Sequence, residues 1–144
     1  MKKDRKNIIL ESLANLLEER NMSKVTTALL AEKSNITEAA LYRHFPSKRA
    51  IYAELFSFCD NAIFSKCTEL KKQKISSKEK VKNVFLFFMI FIEKNKGFAR
   101  LLSREALSNN EQNVVDSVNQ FYDRFELSIK QMPVSYTHLR AHET

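Results

Sequence analysis

The stretch that decides the fold spans residues 39 to 48 and reads Ala39-Ala40-Leu41-Tyr42-Arg43-His44-Phe45-Pro46-Ser47-Lys48. Small and apolar residues open it, and an aromatic ring, a guanidinium group and an imidazole follow in consecutive positions. Proline disfavours helical geometry in the residue before it, so we expect a helix to end at Phe45. Side chains of these types at a helix end are suited to contacts with phosphates. The stretch therefore predicts a short helix that approaches nucleic acid.

The residues before this stretch predict a second short helix and a tight turn. Thr26 can cap a helix from Thr27 to about Lys33, and Thr37 can cap the next helix, Glu38 to Phe45. Between them, Asn35 stands where a left-handed backbone is needed, which asparagine tolerates better than most residues. Two short helices joined in this way form a helix-turn-helix, whose second helix enters the major groove of DNA.

The composition favours helices and a polyanionic partner. The chain has 144 residues, 44% of them hydrophobic, with one glycine and two prolines. That content is enough for a core and leaves few turn signals. The formal net charge of +7 suits a partner such as DNA. We predict an all-α protein with a helix-turn-helix domain over residues 1–48, followed by a partial helical regulatory or dimerisation domain over residues 49–132.

Apolar periodicity and caps predict further helices around the helix-turn-helix. One runs from about Lys6 to Arg20, and a long one follows the cap residue Ser47 and continues to about Leu70. Ser76, with Glu79 three residues later, forms a capping box for the next helix. Gly97, the only glycine, is predicted to end that helix as a C-terminal stop.

Residues 84–92 of that helix are apolar on all sides, which predicts that other helices surround it. The run is too short to cross a bilayer, since a spanning helix needs about 20 residues. Its phenylalanines, Phe85, Phe88 and Phe91, can belong either to the core or to a ligand cavity. A short helix is expected from Phe98 to about Leu107. Ser108 and Glu111 then open a last helix with an apolar stripe at Val114, Val118, Phe121, Phe125 and Ile129.

Neither the cysteines nor the histidines indicate a catalytic or metal site. Cys59 and Cys67 lie on one predicted helix, about 12 Å apart along its axis, which is too far for a disulfide. We expect both to be buried free thiols in a reducing, cytoplasmic setting, because the N-terminus has no signal peptide. No glycine-rich phosphate loop, activated nucleophile or set of metal ligands is present, so we predict no enzyme activity, metal or cofactor, and no membrane association.

Residues 8–70 resemble the DNA-binding end of the TetR family, through Thr26-Thr27, the run Leu41-Tyr42-Arg43-His44-Phe45, and Lys48. The resemblance implies phosphate contacts from Thr27, Tyr42, His44 and Lys48, with Arg43 assisting. It also implies that Glu38 accepts from a cytosine amine and that Ala39 touches a thymine methyl. Taken singly, Tyr42 and His44 could equally be ordinary surface residues. The implied DNA-binding residues are Thr26, Thr27, Ala28, Thr37, Glu38, Ala39, Tyr42, Arg43, His44 and Lys48.

Residues 93–102 and 118–126 are similar to one branch of that family, whose members act at the nucleoid by joining chromosomal DNA binding to inhibition of the division protein FtsZ. The resemblance implies that the FtsZ tail docks between the two long helices, at Phe58, Lys66, Phe87, Lys94 and Asn95. For Phe58 and Phe87, core packing is an equal alternative. A second function within the family is a transcriptional repressor that a small apolar ligand releases, with Phe85, Phe88 and Phe91 around the ligand.

The last residues break the helical pattern. Residues 134–144 resemble a translated sequencing adaptor, so we expect residues 133–144 to be a non-native tail and the native chain to be cut short near Met132. The resemblance implies a homodimer through two helices near the C-terminus, and we expect these helices to be missing from the shortened chain. We therefore expect this chain to be monomeric or prone to aggregation, with the apolar stripe of the last helix exposed.

Overall fold

The computed structural model describes residues 4–19, 24–104 and 112–132, and within these ranges it contains helices and no strand. The predicted all-α class is confirmed. In the described residues no helix has both the length and the apolar composition needed to cross a bilayer. The helices are α1 (Arg5–Glu19), α2 (Thr27–Lys33), α3 (Glu38–His44), α4 (Lys48–Lys71), α5 (Ser77–Lys94), α6 (Lys96–Leu102) and α7 (Gln112–Lys130).

The predicted caps set the helix-turn-helix. The Thr26 hydroxyl accepts from the Leu29 backbone N–H, and the Thr37 hydroxyl accepts from the Ala40 N–H. The turn between α2 and α3 contains Asn35 with φ of 56°, the left-handed backbone that the sequence predicted. Helix α3 ends at His44, because the residue before Pro46 is extended rather than helical. Ser47 and Ser76 cap α4 and α5 in the same way, as predicted.

Helix α1 lies between the helix-turn-helix and the rest of the chain. It packs against α2 and α3 on one side and against α4 and α6 on the other. Its predicted stripe is buried, with Ile9, Leu13 and Leu17 fully inaccessible. Arg100 of α6 donates to the Leu17 carbonyl oxygen at 2.7 Å. This bond satisfies one of the carbonyls that the last turn of a helix leaves without a helical partner.

The prediction that Gly97 ends the fifth helix is wrong. Helix α5 ends at Lys94, and the break is at Asn95, whose amide Nδ2 donates to the Phe91 carbonyl oxygen at 2.8 Å. Gly97 lies inside α6 and is buried against α1. A Cβ atom at this position would overlap the backbone carbonyl oxygen of Ala14. The glycine is therefore needed for the close approach of two helices, a requirement that the local sequence does not reveal.

Two expectations about the apolar helices are also wrong. Helix α5 is not surrounded, because four of its large side chains are 46–58% exposed: Phe85, Leu86, Met89 and Ile90. Helix α7, by contrast, buries the stripe that was expected to be exposed, since Val118 and Phe121 are fully inaccessible and Phe125 is nearly so. The stripe packs against α4, which runs alongside it. The predicted cap of this helix, Ser108 and Glu111, lies outside the described residues.

Aromatic rings fill the space where a ligand cavity was an alternative. The ring centroid of Phe88 lies 5.0 Å from that of Phe125 and 6.1 Å from that of Phe121. The ring of Phe91 stands edge-on to Phe98 with centroids 5.9 Å apart. The structure thus favours core packing for Phe88 and Phe91, while Phe85 is half exposed with its ring edge-on to Phe125.

Four buried polar or ionisable side chains lie inside the helical layer, and each is hydrogen-bonded, ion-paired or a free thiol. Lys80 of α5 is buried and donates to the Lys71 carbonyl oxygen at the end of α4, at 2.8 Å. Asp60 of α4 is buried, and Arg124 of α7 donates to both of its carboxylate oxygens at 3.0–3.1 Å. Cys59 and Cys67 are buried free thiols, as predicted. Burial, with the Asp60 carboxylate as a second cause, raises the pKa of the Cys59 thiol to about 12.

We predict that Gly97→Ala destabilises the fold although it improves helix propensity. Alanine in a helix gains about 0.8–1 kcal/mol over glycine. Overpacking against a backbone atom costs about 1–3 kcal/mol, so the free energy of unfolding should fall. Urea denaturation followed by circular dichroism measures the difference. The control is Lys96→Ala, an exposed neighbour in the same helix, which should change stability by less than about 0.5 kcal/mol. A more stable Gly97→Ala variant would contradict the tight crossing.

Candidate nucleic-acid interface

Helix α3 has one buried side and one open side. Leu41 is fully buried in the core, and the small residue Ala40 is half-buried beside it. The open side carries four side chains that the sequence assigned to DNA, which are Glu38, Ala39, Tyr42 and Arg43. At about 100° per residue these four positions cover a continuous arc of the helix surface. The helix thus presents a polar face while Leu41 anchors it to the core.

A chain of hydrogen bonds joins α2 to α3 at the surface. The Tyr42 hydroxyl donates to Thr27 Oγ1 at 3.3 Å, and the Thr27 hydroxyl donates to Glu38 Oε2 at 3.2 Å. Three of the predicted DNA-binding side chains are therefore brought together, although Thr27 and Tyr42 are 15 residues apart. The chain fixes the orientation of the carboxylate and of the phenol ring relative to each other.

The other predicted residues surround this cluster. The hydroxyls of Thr26 and Thr37 are held at the first turns of α2 and α3 by their capping bonds, and Ala28 is exposed beside them. His44 is half-buried at the end of α3. Lys48 begins α4 with its Nζ atom 5.8 Å from the centre of the Tyr52 ring. All ten residues thus lie on α2, α3 or their caps, or at the start of α4.

The predicted partner-binding residues form two neighbouring groups along α4 and α5. Phe58 and Asn95 line one cavity of about 330 Å³ beside α1, and Lys94 with Asn95 lines the next one, of about 260 Å³. Lys66 Nζ lies 5.8 Å from the centre of the Phe87 ring. Phe58 is 63% exposed, so core packing is excluded for it, whereas Phe87 is half-buried against the core.

The structure also shows a groove that the sequence did not assign. It has a volume of about 590 Å³ and lies between the start of α1, the turn after α2 and the start of α3. Arg5 and Lys33 line it, together with Ser34 of the turn. The basic residues near the N-terminus were a signal for Arg5, but no sequence pattern links Arg5 to Lys33. In the described part of the chain no group of three or more His, Cys, Asp or Glu residues could hold a metal ion.

Comparison with known proteins identifies the family. Residues 9–55 match the family described as "Bacterial regulatory proteins, tetR family". The nucleoid occlusion factor SlmA of Marinobacter nauticus is 34% identical over 130 residues, which are 90% of this chain and 67% of that protein. The SlmA protein of Vibrio vulnificus is 34% identical over 132 residues, covering 91% of this chain and 67% of its own. The chain belongs to the TetR family, on its SlmA branch.

Solved structures agree with this membership at the level of the fold. A transcriptional regulator from Aquifex aeolicus superimposes with a TM-score of 0.71 at 20% identity, covering 89% of this chain and 72% of that one. A TetR-family regulator from Streptomyces coelicolor gives 0.63 at 19% identity, with coverage of 90% and 59%. TetR-family proteins are DNA-binding regulators rather than enzymes, and double-stranded DNA is the partner of this chain.

Proposed function

We propose that this chain is a nucleoid occlusion factor, which binds specific chromosomal sites at the nucleoid, in the cytoplasm, and inhibits assembly of the FtsZ division ring. The observation that carries the proposal is the extent of the similarity to SlmA. It covers about 90% of the chain, so it includes α4 to α7 as well as the helix-turn-helix. A repressor that shared only its DNA-binding end with SlmA would lose the similarity after α3.

In this proposal α3 lies in the major groove with its open side toward the bases. Glu38 accepts from a cytosine amine, and the methyl group of Ala39 contacts a thymine methyl. Thr27 and Tyr42 hold phosphates through their hydroxyl groups, which are hydrogen-bonded to each other in the free protein. Lys48 and His44 add charge-assisted contacts at the other end of α3, and Arg43 assists them. Thr26, Ala28 and Thr37 complete the surface beside these residues.

The FtsZ tail would lie along the seam between α4 and α5. These two helices are joined by a short loop after Lys71, so their residues pair in antiparallel register. Near the loop, Lys66 of α4 lies opposite Phe87 of α5. Phe58 and Asn95, each eight residues further from the loop, line the same cavity. Eight helical residues span about 12 Å, so the two pairs form one continuous track. Lys94 lies next to the second pair.

The chemistry of this track suits a peptide with both apolar and acidic side chains. Phe58 offers an exposed aromatic ring, and Phe87 offers the accessible part of a half-buried ring. Lys66 is held at the surface by Glu69, at 3.3 Å, and can exchange this partner for a peptide carboxylate. An exposed pair of this kind contributes at most about 1 kcal/mol, so the exchange costs little.

The homodimer expected of the full-length protein uses helices near the C-terminus. For this chain the third part of the proposal is self-association through α5. The half-exposed side chains Phe85, Leu86, Met89 and Ile90 recur at three- and four-residue steps. They therefore form one half-exposed apolar face of α5, and at its edge the Phe85 ring also contacts Phe125 of α7. Contiguous exposed apolar surface of this kind is typical of protein–protein contacts.

For DNA we predict that Lys48→Ala lowers the salt dependence of binding to any duplex. Each lost phosphate contact reduces the slope of log affinity against log salt by about 0.9. Fluorescence anisotropy with a labelled duplex over a series of salt concentrations measures the slope. The matched control is Lys72→Ala, an exposed lysine just past the other end of α4, which should leave the slope unchanged. Equal slopes for the two variants would show that Lys48 does not contact a DNA phosphate.

For the FtsZ tail we predict that a C-terminal FtsZ peptide binds the chain and that Phe58→Ala weakens binding about tenfold, equivalent to about 1.4 kcal/mol. The lost ring is exposed, so folding should be unchanged. Calorimetric titration gives the affinity. Lys66→Ala should also weaken binding, whereas Lys82→Ala, an exposed lysine of α5, serves as the control. No binding of the unmodified chain at high micromolar peptide would refute the FtsZ part of the proposal.

For self-association we predict that the mass measured by light scattering rises above the 16.8 kDa of one chain as the concentration increases. Met89→Glu places a charge in the middle of the apolar face and should return the mass to that of a monomer. Ser65→Glu, at an exposed position of α4, introduces the same charge elsewhere and should have no effect. A constant monomer mass at all concentrations would show that α5 does not bind a second copy.

A further inference from the structure

The groove beside the start of α3 combines two cationic side chains with a partly apolar wall. Its lining includes Arg5 of α1, Lys33 of α2, and Ser34, Asn35 and Thr37 around the turn. In residues 4–19, 24–104 and 112–132 neither Arg5 nor Lys33 forms an ion pair with an acidic side chain. Both are exposed and can approach a negatively charged ligand.

A buried donor points to the kind of ligand. Ser34 is only 6% exposed, yet its hydroxyl has no hydrogen-bond partner in the described residues. A buried polar atom without a partner costs free energy, and such atoms are uncommon in folded proteins. Ser34 lines the groove together with the two cations. A hydroxyl donor next to a guanidinium and an ammonium group suits an oxyanion such as a phosphate.

The position of the groove relative to α3 identifies where that phosphate comes from. Glu38 and Tyr42 lie on the side of α3 that faces Thr27. Ala40 lines the groove and is turned about 200° from Glu38 around the helix axis. The open face of α3 is therefore bordered by Thr27 on one side and by the groove on the other.

The major groove of DNA has phosphates along both edges. It is about 12 Å wide, and a helix with its side chains fills that width. When α3 lies in it, one phosphate backbone faces Thr27 and the other faces the groove of Arg5, Lys33 and Ser34. We propose that these three residues bind phosphates of the DNA strand opposite to the strand held by Thr27 and Tyr42. This inference rests on the proposed DNA binding and adds a second phosphate-binding edge to it.

The test compares two double variants that remove the same charge. Arg5→Ala with Lys33→Ala should lower the salt slope of duplex binding by nearly two units, at about 0.9 per lost phosphate contact. Lys72→Ala with Lys74→Ala, at exposed positions of the loop after α4, is the control and should leave the slope unchanged. If both double variants behave alike while Lys48→Ala still lowers the slope, the second edge is refuted and DNA binding stands. If no variant changes the slope, the proposed interface as a whole fails.

Ser34→Ala separates a binding role from a structural one. It removes a hydroxyl that has no partner in the free protein, so the thermal stability should be unchanged or higher. We expect DNA affinity to fall about threefold to tenfold. Ethylation interference mapping should then show the loss of one phosphate contact on the strand opposite to the Thr27 contacts. Unchanged affinity and an unchanged ethylation pattern would exclude Ser34 from the phosphate site.

Discussion

The close crossing of α1 and α6 is the constraint on which the rest of the structure depends. Gly97 allows the two backbones to approach until a methyl group would no longer fit between α6 and the Ala14 carbonyl. Arg100 joins the same two helices through the Leu17 carbonyl oxygen. Because α1 also packs on α2 and α3, this crossing fixes the helix-turn-helix relative to the long helices. A DNA-reading helix is useful only if its orientation is fixed in this way.

Helix α1 takes part in both the proposed DNA surface and the proposed FtsZ surface. Its start contributes Arg5 to the basic groove beside α3, and its buried stripe supports Leu41 of α3 through the core. Its exposed middle contributes Glu11 and Ala14 to the cavities next to Phe58 and Asn95. The proposed DNA surface and the proposed FtsZ surface thus use different faces of the same helix. The short α2 and α3 helices could not provide this support, since isolated helices of that length are marginal in water.

Polar contacts beside the aromatic core link the long helices. Arg124 binds Asp60 and lies over the Phe64 ring, with the guanidinium carbon 4.1 Å from its centre. This links α7 to α4, while Lys80 links α5 to the end of α4. A cation at the C-terminal end of a helix is favoured by the helix dipole. The Lys80 contact fixes α5 against α4 at the end of the helix pair next to their loop.

The sequence by itself determined most of the helices, their N-terminal caps and the side chains on the open side of α3, because these depend on neighbours a few positions away. Thr26, Thr37, Ser47 and Ser76 cap the helices that were predicted, and Asn35 has the predicted left-handed backbone. Only the tertiary structure decided the role of Gly97, the burial of the α7 stripe and the exposure of α5. It also decided that Arg5 meets Lys33 and Ser34 in one groove. Each of these depends on which helix packs against which. An apolar periodicity predicts that a helix face is buried, but it does not identify the helix that covers this face.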